Sequence, residues 1–411
     1  EQNNSFFYPS VSLSYVVSKM FDLPKPISTL RVRGSWAEVS NGSFGSTYAH
    51  IPTYSSGVNW QNNASLVFPG TLISPDLKPE TSSAFETGIA LGLLKDRITL
   101  DATYIYTLDY NNITSVPISV SSGFSSQLIN ANEFEKKGFE LVLTGKPIQT
   151  NNFQWNVSAN LSQYRTYIKS IDVGDNIGRR VVGDRLDKLF TTVWLETPDG
   201  QPIIANNGFN IRDPFDRHIG YSEPDYVYGF MNNFNYKNFS LFIGIDGRLG
   251  GLMQSQTIRN MWWSGMHPAT INEFREASTL GNSNYVAEGV VIVDGAVTYD
   301  TQGNILTDTR TYAPNEQIVN YESYINTYHG RSYGNHFYDE TFLKLRELSL
   351  SYNFPSRIMD RTFMKSATIS LIGRNLFLLS KIDFVDPDSG SDTNMQTPSM
   401  RNIGFHLNVK F

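Results

Sequence analysis

Cysteine is absent from the 411 residues, which excludes disulfide frameworks, thiolate nucleophiles and cysteine-ligated metals and leaves an exported chain compatible. Long apolar runs are missing too: none approaches the roughly 18 residues of a membrane helix, and the mean hydropathy is -0.29. Basic charge is in deficit, with 33 Lys and Arg against 39 Asp and Glu for a net charge of -6. Without a clustered basic face there is no footprint for a nucleic-acid partner. The six histidines, His50, His218, His267, His329, His336 and His406, are scattered. No HExxH, Walker A, GxSxG or spaced Cys/His motif is present, so nothing marks an enzyme. No Pro/Gly/Ser-rich linker breaks the composition, and residues 1–411 read as one large β unit. The chain opens on Glu1 with no leader before Phe6, as in a processed or truncated chain.

What the chain does have is aromatic side chains set in alternation: 13% of residues, with 22 Tyr and 26 Phe. In the last stretch Ile403, Phe405, Leu407, Val409 and Phe411 alternate with Asn402, Gly404, His406, Asn408 and Lys410. A β-strand sends successive side chains to opposite faces, so one face is apolar and the other polar. Taken alone, that strand fits a sandwich as well as a membrane barrel. The pattern repeats through the chain, however. Ile98, Leu100 and Tyr104 oppose Thr99, Asp101 and Thr103; Phe139, Leu141 and Leu143 lead to Trp155 and Val157; Leu241 and Ile243 follow Tyr226 and Tyr228. Roughly eleven such strands, joined by short polar turns and long loops in alternation, predict an all-β, antiparallel transmembrane β-barrel with long extracellular loops. Leu343 and Leu345 are out of phase with Leu348 and Leu350, which predicts a β-bulge near Arg346 and Glu347. If the terminal strand ends in the periplasm, the odd count makes the first strand run toward the periplasm as well, so an upstream part of the barrel is expected.

The long stretches carry the candidate sites. Residues 41–79 and 111–132 read as polar loops. Residues 250–341 lack strand periodicity, and within them 268–280 predicts one helix, started by Pro268 and stopped by Gly281. Trp262, Trp263, Met266 and His267 open this segment. Adjacent tryptophans expose at least one ring unless the loop folds over them, and such rings either meet a sugar face or a partner protein or form the loop's own small core. Asp383, Asp386, Asp388 and Asp392 crowd one loop with Gly390; hard oxygen ligands so spaced could hold Ca²⁺, but the EF-hand spacing is not matched and a solvated turn is the preferred reading. No other metal or cofactor site is evident.

The order and spacing of several segments resemble one family over nearly the whole chain, the SusC/RagA type of TonB-dependent outer-membrane transporters. The segments are YPSVSL at 8–13, LRVRGSW at 30–36, LKPE at 77–80, ANEFEKKGFEL at 131–141, DGRLGG at 246–251, FLKLRELSLSY at 342–352 and GRNLF at 373–377. The resemblance implies a 22-stranded barrel of which this chain supplies the C-terminal half, with the plug and the TonB-contacting segment outside it. It also implies a Gram-negative outer-membrane location among lipid, a SusD-like surface lipoprotein as lid, and a terminal strand (Phe405, Leu407, Val409, Phe411) read by the barrel-assembly machinery. The function so implied is active import of oligosaccharides or peptides, with no chemistry on the substrate. A scaffold role in another outer-membrane assembly is the alternative, and an outer-membrane hydrolase a distant third.

Overall fold

The computed structural model describes residues 7–41, 51, 53–59, 61–74, 76–331, 334–393, 397 and 399–411. They form two compact units, Glu1–Leu186 with Tyr228–Leu241, and Asp187–Val227 with Phe242–Phe411. The expected loop at 41–79 falls partly outside the described residues.

The first unit carries seven long antiparallel strands, each beside its neighbour in sequence: β1 (Ser10–Val16), β2 (Ile27–Asn41), β3 (Glu80–Leu93), β4 (Ile98–Tyr110), β5 (Glu133–Gln149), β6 (Phe153–Ser170) and most of β7 (Tyr226–Tyr236). The turn from β3 to β4 is tight because Leu94, Lys95 and Asp96 all take positive φ, at 55°, 60° and 58°. Alternation on the strands becomes rows across them, since directly paired residues share a face. Leu30, Leu91, Leu100, Leu143 and Ala159 form one apolar row across β2 to β6. Arg33, Gly88, Thr103, Glu140 and Ser162 form a polar row on the other face. The polar face is knitted by its own chemistry. Arg33 donates to Asp101 Oδ1 and Oδ2 at 2.6 and 2.8 Å and to Thr103 at 2.5 Å. It reaches β4 from β2 by lying over Gly88, where an added Cβ would stand 2.9 Å from the guanidinium. Thr99 and Thr144 share a hydrogen bond on the same face, so Thr99, Asp101 and Thr103 lie together as their spacing predicts.

In the second unit β8 (Phe239–Leu249, begun in the first), β9 (Phe342–Asn353), β10 (Ser366–Ser380) and β11 (Asn402–Lys410) follow in order. The predicted irregularity is present: Leu345 faces Phe377 but Glu347 faces Arg374. Arg346 therefore opposes both Asn375 and Leu376. The extra residue is on β10, where Asn375 takes a φ of 51°. On β11, Leu407 pairs with Ile369 and Phe405 with Leu371, continuing the apolar face. The Phe411 ring stacks on Phe363 at 5.5 Å.

The segments between strands are more ordered than periodicity suggested. Residues 111–132 contain a hairpin, Ile113–Pro117 with Ser126–Asn130. Residues 250–341 hold paired strands Val290–Asp294 with Thr311–Pro314 and Val297–Tyr299 with Ile305–Asp308, and Ile203–Ile204 joins Val290 and Val291 in parallel. Ile203 and Ile204 are fully buried there. Three helices also form: α1 (Gln256–Trp263), α2 (Glu273–Thr279) and α3 (Tyr321–Arg331). The single helix expected at 268–280 is in fact two pieces. A 3-10 turn at Pro268–Thr270 ends where Ile271 extends, and Asn272 then caps α2 by accepting from the Phe274 amide at 3.1 Å. An asparagine that satisfies an orphan helical N–H starts a new helix rather than continuing the old one.

Candidate ligand-binding site

The site is built on α1. Ser255, fully buried, accepts from the Ile258 amide at 3.1 Å and donates to Asp392 Oδ2 at 2.5 Å. Asp392 also accepts from the Thr257 amide and hydroxyl at 3.0 and 2.7 Å. A carboxylate at the positive end of a helix is favourable, and here it fastens the 380–400 loop to α1. Beneath α1, Met253, Ile258 and Ile382 form a small core with Trp262, Tyr338 and Val385 packed on it.

Trp262 is the centre of a three-ring stack. His267 lies on one face at 4.1 Å and 12°, and His329 on the other at 4.2 Å and 14°. Both faces of the indole are thus occupied, so Trp262 offers no face to a sugar. Its neighbour Trp263 is 61% exposed and Met266 73% exposed. The sequence-predicted group therefore divides, with Trp262 and His267 brought together in the loop's core and Trp263 and Met266 left on its surface.

Around the stack lies a cavity of about 430 Å³ lined by Ile258, Trp262, His267, Tyr328, His329, Asn335, Tyr338, Lys381, Asp383 and Phe384. That volume lies within the range of small-molecule sites. The His336 Nε2 faces the His329 carbonyl at 3.1 Å, which assigns the proton to Nε2, and the Tyr338 hydroxyl lies 3.5 Å from the other ring nitrogen. His329 Nδ1 is buried with no hydrogen-bond partner among the described residues. Burial, then the nearby His336 and His267, pulls the His329 pKa down to about 3. Burial lowers His336 to about 4 against the opposing hydrogen bond to the His329 carbonyl, and lowers His267 against the pull of Asp383. All three imidazoles are neutral near pH 7. Burial pushes Tyr338 up to about 12.

The aspartates weighed for Ca²⁺ are divided among three tasks. Asp386 and Asp388 converge on a cation of the protein's own. Lys344 Nζ, 2% exposed, donates to Asp386 at 2.6 Å and to Asp388 at 3.1 Å. Arg346 bridges Asp388 at 2.6 Å and Asp246 at 2.5 Å. The bond from Arg346 first, with Lys344 adding to it, holds Asp388 down to about 2 despite burial. Asp392 caps α1, and Asp383 lines the cavity. Among the described residues no three His, Asp or Glu side chains are placed to hold a metal.

Behind the cavity an aromatic ladder stiffens α3. Trp194 stacks on Tyr328 at 5.5 Å, Tyr328 on Tyr324 at 5.7 Å, and Tyr285 meets both Tyr324 and Tyr321. The Tyr321, Tyr324 and Tyr328 rings thus form a local core, and their spacing of three and four is that of one helix face. Tyr328 alone faces both the ladder and the cavity.

Residues 1–376 match the model of the TonB dependent receptor-like, beta-barrel family. The chain belongs to the TonB-dependent receptor-like β-barrel family. It is 22% identical over 466 residues to TonB-dependent receptor P26 of Formosa agariphila, covering 100% of this chain and 43% of that protein. It is 23% identical over 427 residues to TonB-dependent receptor SusC of Bacteroides thetaiotaomicron, covering 94% and 38%. The structure of the RagAB peptide transporter matches with a TM-score of 0.70 at 20% identity, over 100% of this chain and 44% of that one. The TonB-dependent barrel reading and the SusC/RagA likeness hold, and these relatives are receptors and transporters rather than enzymes. The chain spans less than half the length of these relatives. TonB-dependent barrels belong to the outer membrane, and no described helix is long and apolar enough to cross a bilayer.

Proposed function

We propose that the chain is the C-terminal barrel portion of an outer-membrane active importer that takes up oligosaccharides or peptides, with a SusD-like surface lipoprotein as lid and TonB engaged through the rest of the protein. The likeness to SusC and to the RagAB peptide transporter supports the class. The observation that carries the reading to residues is one loop assembly that joins an aromatic-lined cavity to an exposed apolar edge at Trp263 and Met266. The cavity suits a ligand, and rigid aromatic area at an exposed edge suits a protein partner. On this reading 250–341 lies outside the cell. Phe405, Leu407, Val409 and Phe411 are the strand read by the barrel-assembly machinery, and the apolar row through Leu100 faces lipid.

Affinity purification of the full-length protein from outer membranes tests this. A surface lipoprotein recovered in near-equal amount, together with lost uptake of an oligosaccharide or peptide on deletion, is the expected result. Recovery with other envelope machinery and no change in uptake would favour the scaffold role instead.

A further inference from the structure

Several acceptors without a donor of their own gather on the 430 Å³ cavity. Asp383, exposed to solvent, makes no hydrogen bond or ion pair among the described residues, so its carboxylate is open to a cationic ligand. Asn335 uses its Nδ2 on the Tyr328 carbonyl at 3.3 Å, which leaves the amide oxygen as acceptor. The Tyr338 hydroxyl points its proton toward His336, and its lone pairs remain. The one cation among the lining residues, Lys381, is paired with Asp339 Oδ2 at 2.5 Å. His329 Nδ1 waits, buried and unpartnered, in a side chain only 9% exposed. A buried polar atom without a partner is rare in native structures and marks a missing water, ion or ligand. Tyr328, Tyr338 and Phe384 supply aromatic walls.

We infer that this cavity binds an organic cation bearing N–H donors, an ammonium or guanidinium group, with Asp383 as counter-ion, Asn335 and His329 as acceptors and the Tyr328, Tyr338 and Phe384 rings as walls. A protonated amine suits a carboxylate beside π faces. Neutral imidazoles line the site without repelling it. A neutral ligand would leave Asp383 unpaired, and an anion would meet it at close range. The chemistry has two sources compatible with the proposed import role, on which the inference rests: a basic peptide side chain and an amino sugar.

Isothermal titration of the full-length protein in detergent at pH 7.5 separates them. The probes are acetyl-Gly-Arg-Gly-amide against its citrulline isostere, and glucosamine against N-acetylglucosamine. The cation of at least one pair should bind about tenfold or more tighter than its neutral partner, and Asp383→Asn should remove most of that margin, as losing one charged hydrogen bond does. His329→Phe, which keeps ring volume, should weaken the cation by a smaller factor, and Asp294→Asn, outside the cavity, should change nothing. Preference within the arginine pair assigns a peptide source, and within the glucosamine pair a sugar source. Equal binding of charged and neutral partners, no binding of either cation at millimolar concentration, or an unchanged margin in Asp383→Asn overturns the inference. Uptake and lipoprotein co-purification are measured separately and survive if only the cavity assignment fails.

Discussion

Lys344 carries its ammonium group into a nearly waterless place, 2% exposed, because Asp386 and Asp388 meet it there. Removing one partner from a buried ion pair costs about 3 to 5 kcal/mol, since the remaining charge stays buried without compensation. Lys344→Met should therefore release the 380–400 loop while the barrel strands persist. Faster trypsin cleavage at Lys381, with unchanged heat-modifiability on gels, is the expected sign; an unchanged digest would show that the pair does not hold the loop. The imidazoles make a second prediction. His329 in the folded loop titrates near 3, below the unfolded value of about 6.5. The unfolded state thus takes up protons first, and stability present above pH 6.5 is lost as pH falls toward 3, by about 1.4 kcal/mol per pH unit for each such histidine. Protonation of His329 against the Trp262 face should quench indole emission with a midpoint well below pH 5, read as the difference between wild type and Trp262→Phe. A midpoint near 6.5 would mean that the stack is open to water.

At the scale of elements, the two tryptophans that sequence placed together separate into different tasks. Trp262 lies between two imidazoles and over the Met253, Ile258 and Ile382 core, so Trp262→Ala should loosen the α1 region by about 3 kcal/mol, as large-to-small core changes do. Trp263→Ala should leave protease resistance intact and weaken lid association or uptake; two variants that behave alike in both assays would contradict the division. The strands were legible because their period of two is repeated and local. An Arg at Leu100, in the apolar row, should cost about 2 to 4 kcal/mol if that row faces lipid near the midplane, measured as lost heat-modifiable barrel, whereas Thr99→Arg should be tolerated. The cavity was not legible, because its walls come from three separate stretches around 258–267, 328–338 and 381–384, which no local pattern links. Helices α1 and α3 did leave local signs, a serine cap at Ser255 and tyrosines three and four apart. Length without alternation hid both, and the Asp294-Gly295 turn pair likewise signalled strand structure inside a stretch read as irregular.

For the whole molecule, the decisive feature is at the sheet margins. Among the described residues β1 is hydrogen-bonded to β2 alone and β11 to β10 alone, so each presents an open row of backbone N–H and C=O groups there. In water such an edge invites aggregation. In the hydrocarbon of a bilayer each unsatisfied group costs several kcal/mol, which is why only closed barrels cross membranes with strands. The curated relatives are more than twice as long as the stretch this chain matches, which covers 43% and 38% of two of them, and on the proposed reading that additional length supplies strands for both edges. Residues 1–411 expressed alone and refolded into detergent should therefore give oligomers or aggregates, and no heat-modifiable, protease-resistant monomer. Supplying the remaining barrel strands, on the same chain or by co-expression, should restore one. A well-behaved monomeric barrel formed by these 411 residues alone would mean that β1 and β11 satisfy each other, and the partial-barrel reading would fall with it.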